Sequence, residues 1–264
     1  MVPVDGMDPR SRRERFHQQL QAGERLAGTF VHFASAELVE IAGRAGYDFA
    51  VLDEEHGPLG QGDVAEMLRA GDAAALPCIV RLPHDHPKAI LKALDLGAAG
   101  IMVPQVESAA QAARIASAAH FPPLGTRSLT AVVRAAGYAS QAPVDFAQSA
   151  EREVTVLAQI ETGAGVAEAE AIAATPGVDM LFIGPTDLSA ALGHPGNLEH
   201  PSVVRSIDAI CAAAQHAGKP VGSFVSSREQ VAFFRGRGVT LLATSVTTAV
   251  LRALRNEVGW LRLP

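Results

Sequence analysis

Eight short apolar runs rich in β-branched residues recur along the chain, over 26–33, 48–52, 78–82, 100–104, 154–160, 180–184, 220–225 and 240–244. Between them the apolar positions change to a spacing of three and four, which predicts helices over 36–45, 63–73, 87–96, 109–118, 164–174, 202–217, 228–235 and 246–256. A run apolar at successive positions predicts a strand covered on both faces, and so a parallel strand under packed helices. Eight strand–helix units in 264 residues predict a closed (β/α)8 barrel, a fold of typically ~250 residues. An open doubly wound sheet would carry a glycine-rich turn after its first strand. Phe33-Ala34-Ser35-Ala36-Glu37 stands there instead, and no P-loop follows.

The helix ends are marked in the sequence. Asp8 before Pro9 predicts an extra N-terminal helix, with Gly23 near its end. Asp63-Val64-Ala65-Glu66 reads as a capping box with Asp63 at the N-cap. Two connections are long, 121–153 and 193–201, and long connections in a compact barrel are often functional or lie at subunit interfaces. No linker or shift in composition divides the chain, so residues 1–264 are expected to form one domain.

Composition narrows the function. With 48% apolar and 19% charged residues the chain can build a large core. A net charge of −6, with Arg10-Ser11-Arg12-Arg13-Glu14-Arg15 as the one basic tract, argues against a nucleic-acid partner, and that tract reads as a solvated helix face. Cys78 and Cys211 sit in apolar and alanine-rich surroundings and read as small core residues. No run approaches a membrane span, and residues 1–15 carry no apolar leader segment. A cytoplasmic protein with no membrane contact is the expectation.

In such barrels the chemistry collects at the C-terminal ends of the strands. Those ends carry Asp53-Glu54-Glu55-His56-Gly57-Pro58, then Arg81, then Gln159-Ile160-Glu161, then Gly184-Pro185-Thr186-Asp187. Glu161 and Asp187 could hold a hard divalent cation, or each could simply cap the helix that follows. His56 could act as a base near neutral pH with Asp53 orienting its ring; a surface histidine is the plainer reading. The other histidines lack so acidic a neighbourhood, although His84 and His86 could line the mouth. Arg81 ends a buried strand, where it would either pair structurally or aim its fork at a carboxylate or enolate oxygen.

Four segments together resemble the HpcH/HpaI family of metal-dependent pyruvate aldolases. They are Leu52-Asp53-Glu54-Glu55-His56-Gly57-Pro58; Val80-Arg81-Leu82-Pro83 with Asp95-Leu96-Gly97-Ala98; Gln159-Ile160-Glu161-Thr162; and Phe182-Ile183-Gly184-Pro185-Thr186-Asp187-Leu188-Ser189. Gly193-His194-Pro195-Gly196 and His200-Pro201 continue the likeness. It implies reversible cleavage of 4-hydroxy-2-oxo acids to pyruvate and an aldehyde, through a pyruvate enolate at a divalent Mg2+, Mn2+ or Co2+. Glu161 and Asp187 would hold the metal, Arg81 would meet the enolate oxygen, and Gln159, Asp187 and the backbone around Thr186 would hold substrate. His56 with Asp53 would serve the acid–base step. The resemblance further implies a homo-oligomer, a hexamer built as a trimer of dimers with C-terminal helices exchanged between barrels; 246–263 is apolar enough to need a partner surface.

Three segments depart from the family's pattern: Asp85-His86-Pro87, Gly125-Thr126-Arg127-Ser128-Leu129 and Ala243-Thr244-Ser245-Val246-Thr247. They bear on the aldehyde half of the substrate. No lysine ends a predicted strand, so a Schiff-base aldolase fits poorly. Two rival functions remain: a lyase of citryl- or malyl-CoA type in the same superfamily, and a non-catalytic barrel that binds an oxo acid.

Overall fold

The computed structural model describes residues 8–263; residues 1–7, part of the stretch read above for a leader, lie outside it. All eight apolar runs form strands: β1 Leu26–Val31, β2 Phe49–Asp53, β3 Cys78–Arg81, β4 Gly100–Val103, β5 Thr155–Ile160, β6 Met180–Ile183, β7 Val221–Phe224 and β8 Leu241–Ser245. Each pairs in parallel with its sequence neighbours, and β8 closes on β1, so the sheet is a (β/α)8 barrel. The helices are α1 Pro9–Gln21, α2 Ala36–Ala45, α3 Gln61–Ala73, α4 Pro87–Asp95, α5 Ala109–Ala119, α6 Pro143–Glu153, α7 Gly163–Ala167, α8 Ala169–Ala173, α9 Pro185–Ala191, α10 Pro201–His216, α11 Arg228–Arg235 and α12 Val246–Leu261.

Two details of the punctuation differ from expectation. The single helix predicted over 164–174 is interrupted at Glu168, whose φ of −100° and ψ of 5° leave the helical region and separate α7 from α8. Asp63 is the third residue of α3, not its cap: its carboxylate accepts from the Gly60 N–H at 2.8 Å, the reciprocal half of a capping box, while Glu66 faces outward and pairs with Arg69. An acid serves at either position because both satisfy first-turn donors near the positive end of the helix dipole.

Side chains alternate across each strand. Phe49 and Val51 point inward with Phe30, Ile79, Met102, Leu157, Met180, Phe182 and Leu241 to fill the barrel, whereas Ala50, Leu52, Val80 and Leu181 belong to the shell under the helices. Interior volume is set by glycine. A Cβ at Gly28 would lie 2.1 Å from the Phe49 ring and one at Gly222 would lie 2.7 Å from Phe182, so both rings occupy space that only glycine leaves open.

The N-terminal end of the barrel is sealed by α1, whose Phe16 packs against Phe49 with ring centroids 5.7 Å apart. The basic tract is therefore not a solvated face. Arg13 is buried and donates to the Glu153 carboxylate at 2.8 Å from Nη2 and 3.0 Å from Nε, and Arg12 donates to the Asp72 carbonyl. Glu153 ends α6, so this pair ties the long 121–153 connection to α1. That connection joins a helix to the next strand and lies at the N-terminal face. It builds a small core of its own from Phe121, Ala135, Ala136, Phe146 and Ala150. Arg127 is buried there, 4.5 Å over the Phe121 ring and 5.8 Å from Phe146, with Nη2 donating to Asp95 at 2.8 Å.

Buried pairs at this face, away from the strand ends that carry chemistry, serve stability in barrels of this kind. Arg127→Ala should therefore destabilise the fold by roughly 2–4 kcal/mol through the lost buried pair and ring contacts. Activity per folded molecule should be unchanged. Denaturant titration together with steady-state kinetics checks both halves; a raised KM in folded protein would place the segment at the site instead.

Candidate active site

The period of two that fills the barrel also selects the chemistry at its mouth. In β2 the inward series Phe49, Val51 continues to Asp53; in β3, Ile79 continues to Arg81; in β5, Leu157 continues to Gln159 and Glu161; in β1, Phe30 continues to His32. These side chains stand on the top layer, above the apolar filling. With Phe182, Phe224, His56, Gly184, Pro185, Thr186 and Asp187, four of them (His32, Arg81, Gln159 and Phe30) line a cavity of 240 Å³. Lys88 and Lys92 lie on α4, and Lys219 donates to the Thr175 carbonyl, so none lines it.

Asp53 is the junction of this layer. Its Cα is in register with that of Arg81, and the two form a two-pronged pair: Nε donates to Oδ1 at 2.8 Å and Nη2 to Oδ2 at 2.7 Å. Oδ1 also accepts from the backbone N–H groups of Glu55 at 3.1 Å and His56 at 3.3 Å, which folds the following loop back over the strand end. Gly57 allows that fold, since a Cβ there would meet the Asp53 carbonyl at 2.4 Å and the His32 carbonyl at 2.8 Å. Burial pushes the Asp53 carboxyl up, but the hydrogen bonds and charge of Arg81 outweigh it and hold it below its ordinary range. Burial likewise opposes the Arg81 charge, and Asp53 with Glu55 more than offsets it. Arg81 Nη1 reaches Glu55 at 3.2 Å and the guanidinium lies 5.0 Å from the Phe30 ring centroid.

Across the cavity the balance is reversed. Glu161 is 3% exposed, accepts from the Gln105 N–H at 2.9 Å and from the Gln159 amide, and meets no cationic side chain at hydrogen-bond distance. Burial, with the charges of Glu55 and Asp187, pushes its carboxyl up to about 7. Gly184 makes the seat: a Cβ there would lie 2.3 Å from Glu161 Oε2 and 3.1 Å from Gln159 Nε2. Among the described residues Gln159 Oε1 is buried with no hydrogen-bond partner, whereas Glu55 Oε2 is ion-paired to Arg81. Neither Glu161 nor Asp187 is an N-cap, although Asp187 lies in the first turn of α9, where its charge favours the helix dipole. Thr162 Oγ1 caps α7 by accepting from Gly165, and the N-cap of α9 is Gly184, with Asp187 exposed in the first turn.

Crowded carboxylates, the unpartnered Gln159 Oε1 and a glycine-lined seat fit a divalent cation with hard oxygen ligands. Among the described residues no group of three or more His, Cys, Asp or Glu side chains is arranged to hold a metal ion. The protein's share would thus be two carboxylates, and waters or substrate would complete the shell, the habit of Mg2+ and Mn2+.

The histidines are rearranged relative to expectation. The His56 ring lies at the rim, largely exposed, with Nε2 3.9 Å from Glu55; Asp53 binds its backbone and does not orient its ring. The imidazole on Asp53 belongs to His32, with Nε2 3.2 Å from Oδ2. Strand parity was the signal for it, since 26, 28, 30 and 32 share a face. His84 and His86 pack on each other, His86 Nδ1 accepts from Lys88 N–H to cap α4, and neither lines the cavity.

The chain is similar to known proteins over nearly its whole length. The sequence profile of the HpcH/HpaI aldolase/citrate lyase family matches residues 26–253. A hydroxypyruvate/pyruvate aldolase of Paraburkholderia phytofirmans is 37% identical over 251 residues, covering 92% of this chain and 96% of that one. A 5-keto-4-deoxy-D-glucarate aldolase of Klebsiella pneumoniae is 36% identical over 245 residues, 93% of this chain and 95% of its own. The crystal structure of an HpcH/HpaI aldolase/citrate lyase family protein from Burkholderia cenocepacia superposes with a TM-score of 0.90 at 37% identity, covering 95% of this chain and all 100% of that one.

The raised Glu161 carboxyl has a consequence for stability. An acid whose folded value lies above its unfolded value is neutral at low pH, and stability is lost as pH rises from the ordinary carboxylate range through about 7. Glu161→Gln removes that cost while keeping an acceptor for Gln105. With a chelator present, its Tm should exceed the parent's by a few degrees near pH 8, and the gap should close near pH 5. Equal melting curves at both pH values would show that Glu161 is not crowded.

Proposed function

The chain belongs to the HpcH/HpaI aldolase/citrate lyase family and is an aldolase of the pyruvate class, and on that premise we propose that it cleaves 4-hydroxy-2-oxo acids to pyruvate and an aldehyde with a divalent metal, Mg2+, Mn2+ or Co2+. One observation carries the reading: one small cavity is lined by a clamped guanidinium and by Asp187, with the buried Glu161 carboxylate set beside Gln159 and Gly184 of its wall. The cavity has 240 Å³, below the ~300–1,000 Å³ usual for pockets that take drug-sized ligands, which favours a small oxo acid.

Glu161 and Asp187 would hold the metal, which when bound polarises the 2-oxo group of the substrate as a Lewis acid. The remaining steps belong to the chain. Thr186 and Asp187 supply first-turn N–H groups of α9, which have no partner within the helix and suit the substrate carboxylate. Gln159 Oε1, buried without a donor, accepts from a substrate hydroxyl or a water. When the C3–C4 bond breaks, its electron pair moves through C3 to the C2 oxygen, and Arg81 meets the charge that develops there. The fork on Asp53 fixes the plane of the guanidinium beforehand, so no reorganisation accompanies the step. His56, at the rim, takes the C4-hydroxyl proton as the aldehyde forms and returns a proton to C3.

Exhaustive chelation should abolish pyruvate release from 4-hydroxy-2-oxo acids, and Mg2+, Mn2+ or Co2+ should restore it. Full activity without metal, or a pyruvate adduct trapped by borohydride, would overturn the assignment. Arg81→Ala should slow aldol cleavage and oxaloacetate decarboxylation alike, by about a hundred- to a thousandfold, because both pass through the pyruvate enolate. Arg81→Lys should recover little, since it lacks the planar fork. His56→Ala should impair cleavage far more than decarboxylation, which has no hydroxyl proton to move. Equal losses in both would remove His56 from the proton step.

A further inference from the structure

His32 has no part in the mechanism above, yet it touches the residue on which the site is built. It follows β1 on the inward face and lines the cavity. Its Nε2 lies 3.2 Å from Asp53 Oδ2, its Nδ1 3.4 Å from Thr247 Oγ1, and its ring stacks at 26° on Phe30, 6.1 Å between centroids. Thr247 is in the first turn of α12, so one ring bridges β2 and the β8–α12 junction.

The proton positions follow from the partners. Asp53 is ionised and can only accept, so Nε2 carries the hydrogen. Nδ1 is then a lone pair, and the Thr247 hydroxyl donates to it. The titratable and charged groups facing the ring are Asp53 from β2, Arg81 from β3 and His56 from the β2–α3 loop. Burial lowers the tendency of His32 to protonate, Asp53 opposes that, and Arg81 and His56 reinforce it, with a net shift below the ordinary value. A neutral donor therefore faces an anionic acceptor that is already shared with a guanidinium.

We propose that His32 is a positioning residue: held by Thr247, it donates from Nε2 to Asp53 and fixes the carboxylate that aims Arg81 at the enolate oxygen. Its kinetic consequence rests on the aldolase reading; its effect on Arg81 does not. Because it acts through Arg81, it serves every reaction that forms the pyruvate enolate and carries no proton of the substrate.

The test compares His32→Leu, His32→Gln and Thr247→Val in metal-loaded enzyme, measuring aldol cleavage, oxaloacetate decarboxylation and the pH profile of kcat. His32→Leu should lower kcat of both reactions by the same factor, about tenfold to a hundredfold, the usual effect of one hydrogen bond to a charged group, with KM nearly unchanged. His32→Gln keeps an N–H donor, so it should recover most of the loss and retain both limbs of the parent pH profile. Thr247→Val should give a smaller loss with the same ratio between the two reactions. In a separate arm without substrate, the 15N signal of Arg81 Nε, identified by its absence in Arg81→Lys, should shift and broaden in His32→Leu and return in His32→Gln. Loss of cleavage alone, or failure of His32→Gln to rescue with loss of a pH limb, would make His32 a proton carrier and overturn the proposal. Unchanged kcat and an unchanged Arg81 signal in His32→Leu would also overturn it. If His32→Leu does not fold, His32→Gln and Thr247→Val still decide through the rescue, the ratio and the Arg81 signal. A parent enzyme that forms no pyruvate would sink the aldolase reading while leaving the Arg81 signal to judge the positioning.

Discussion

The site depends on one buried ion pair, Asp53 with Arg81. Burying two charges costs several kcal/mol per ion unless geometry and further hydrogen bonds compensate. Here they do: the pair is two-pronged between adjacent strands in register, the carboxylate takes two backbone N–H groups as well, and the guanidinium rests over Phe30. A pair so fully satisfied adds little net stability. What it supplies is direction, since the plane of the guanidinium is set by three elements before any ligand arrives.

The rest of the mouth is arranged in opposition to that pair. On the Arg81 side positive charge is matched and the acid Asp53 is held below its ordinary range; on the Glu161 side negative charge is unmatched and the acid is held above it. An unpaired buried charge is among the costlier features a fold can carry, and a cation in the seat that Gly184 keeps open would supply the missing charge. A ligand bridging the two sides would experience a field running from guanidinium to carboxylates.

How much of this the sequence disclosed can be argued from particular residues. Strand runs and helices were legible because an apolar run bounded by turns leaves few alternatives in a chain of this length. The residues at the strand ends, Arg81, Gln159, Glu161 and Asp187, were legible because polar side chains ending apolar runs are conspicuous; Arg81, Gln159 and Asp187 line one cavity, and Glu161 is buried beside Gln159 and Gly184. The pairing of Asp53 with His56 was not correct. Proximity in sequence suggested it, but the loop bends so that the His56 backbone, not its ring, reaches the carboxylate. His32 was passed over because its sequence neighbours are apolar and small, whereas its acidic neighbour comes from the adjacent strand. The basic tract was misread for the same reason: its partner Glu153 is distant in the chain.

Both errors share a cause that bears on how the molecule divides its labour. Local sequence reports charge density along the chain, but pairing in a barrel is set across strands and between ends. At the N-terminal end, Arg13 with Glu153 and Arg127 with Asp95 fasten the 121–153 segment over the α1 plug, and nothing there opens onto the cavity. At the C-terminal end, the same kind of pair lines the cavity through Arg81. The last helix connects these themes differently. The first turn of α12 reaches the site through Thr247 and His32, while Leu251, Leu254, Val258, Trp260 and Leu261 stand exposed farther along it. Whatever fixes the seat of α12 thus also bears on the ring that steadies Asp53, so the geometry of the guanidinium is tied to the outer packing of the chain and not to the barrel alone.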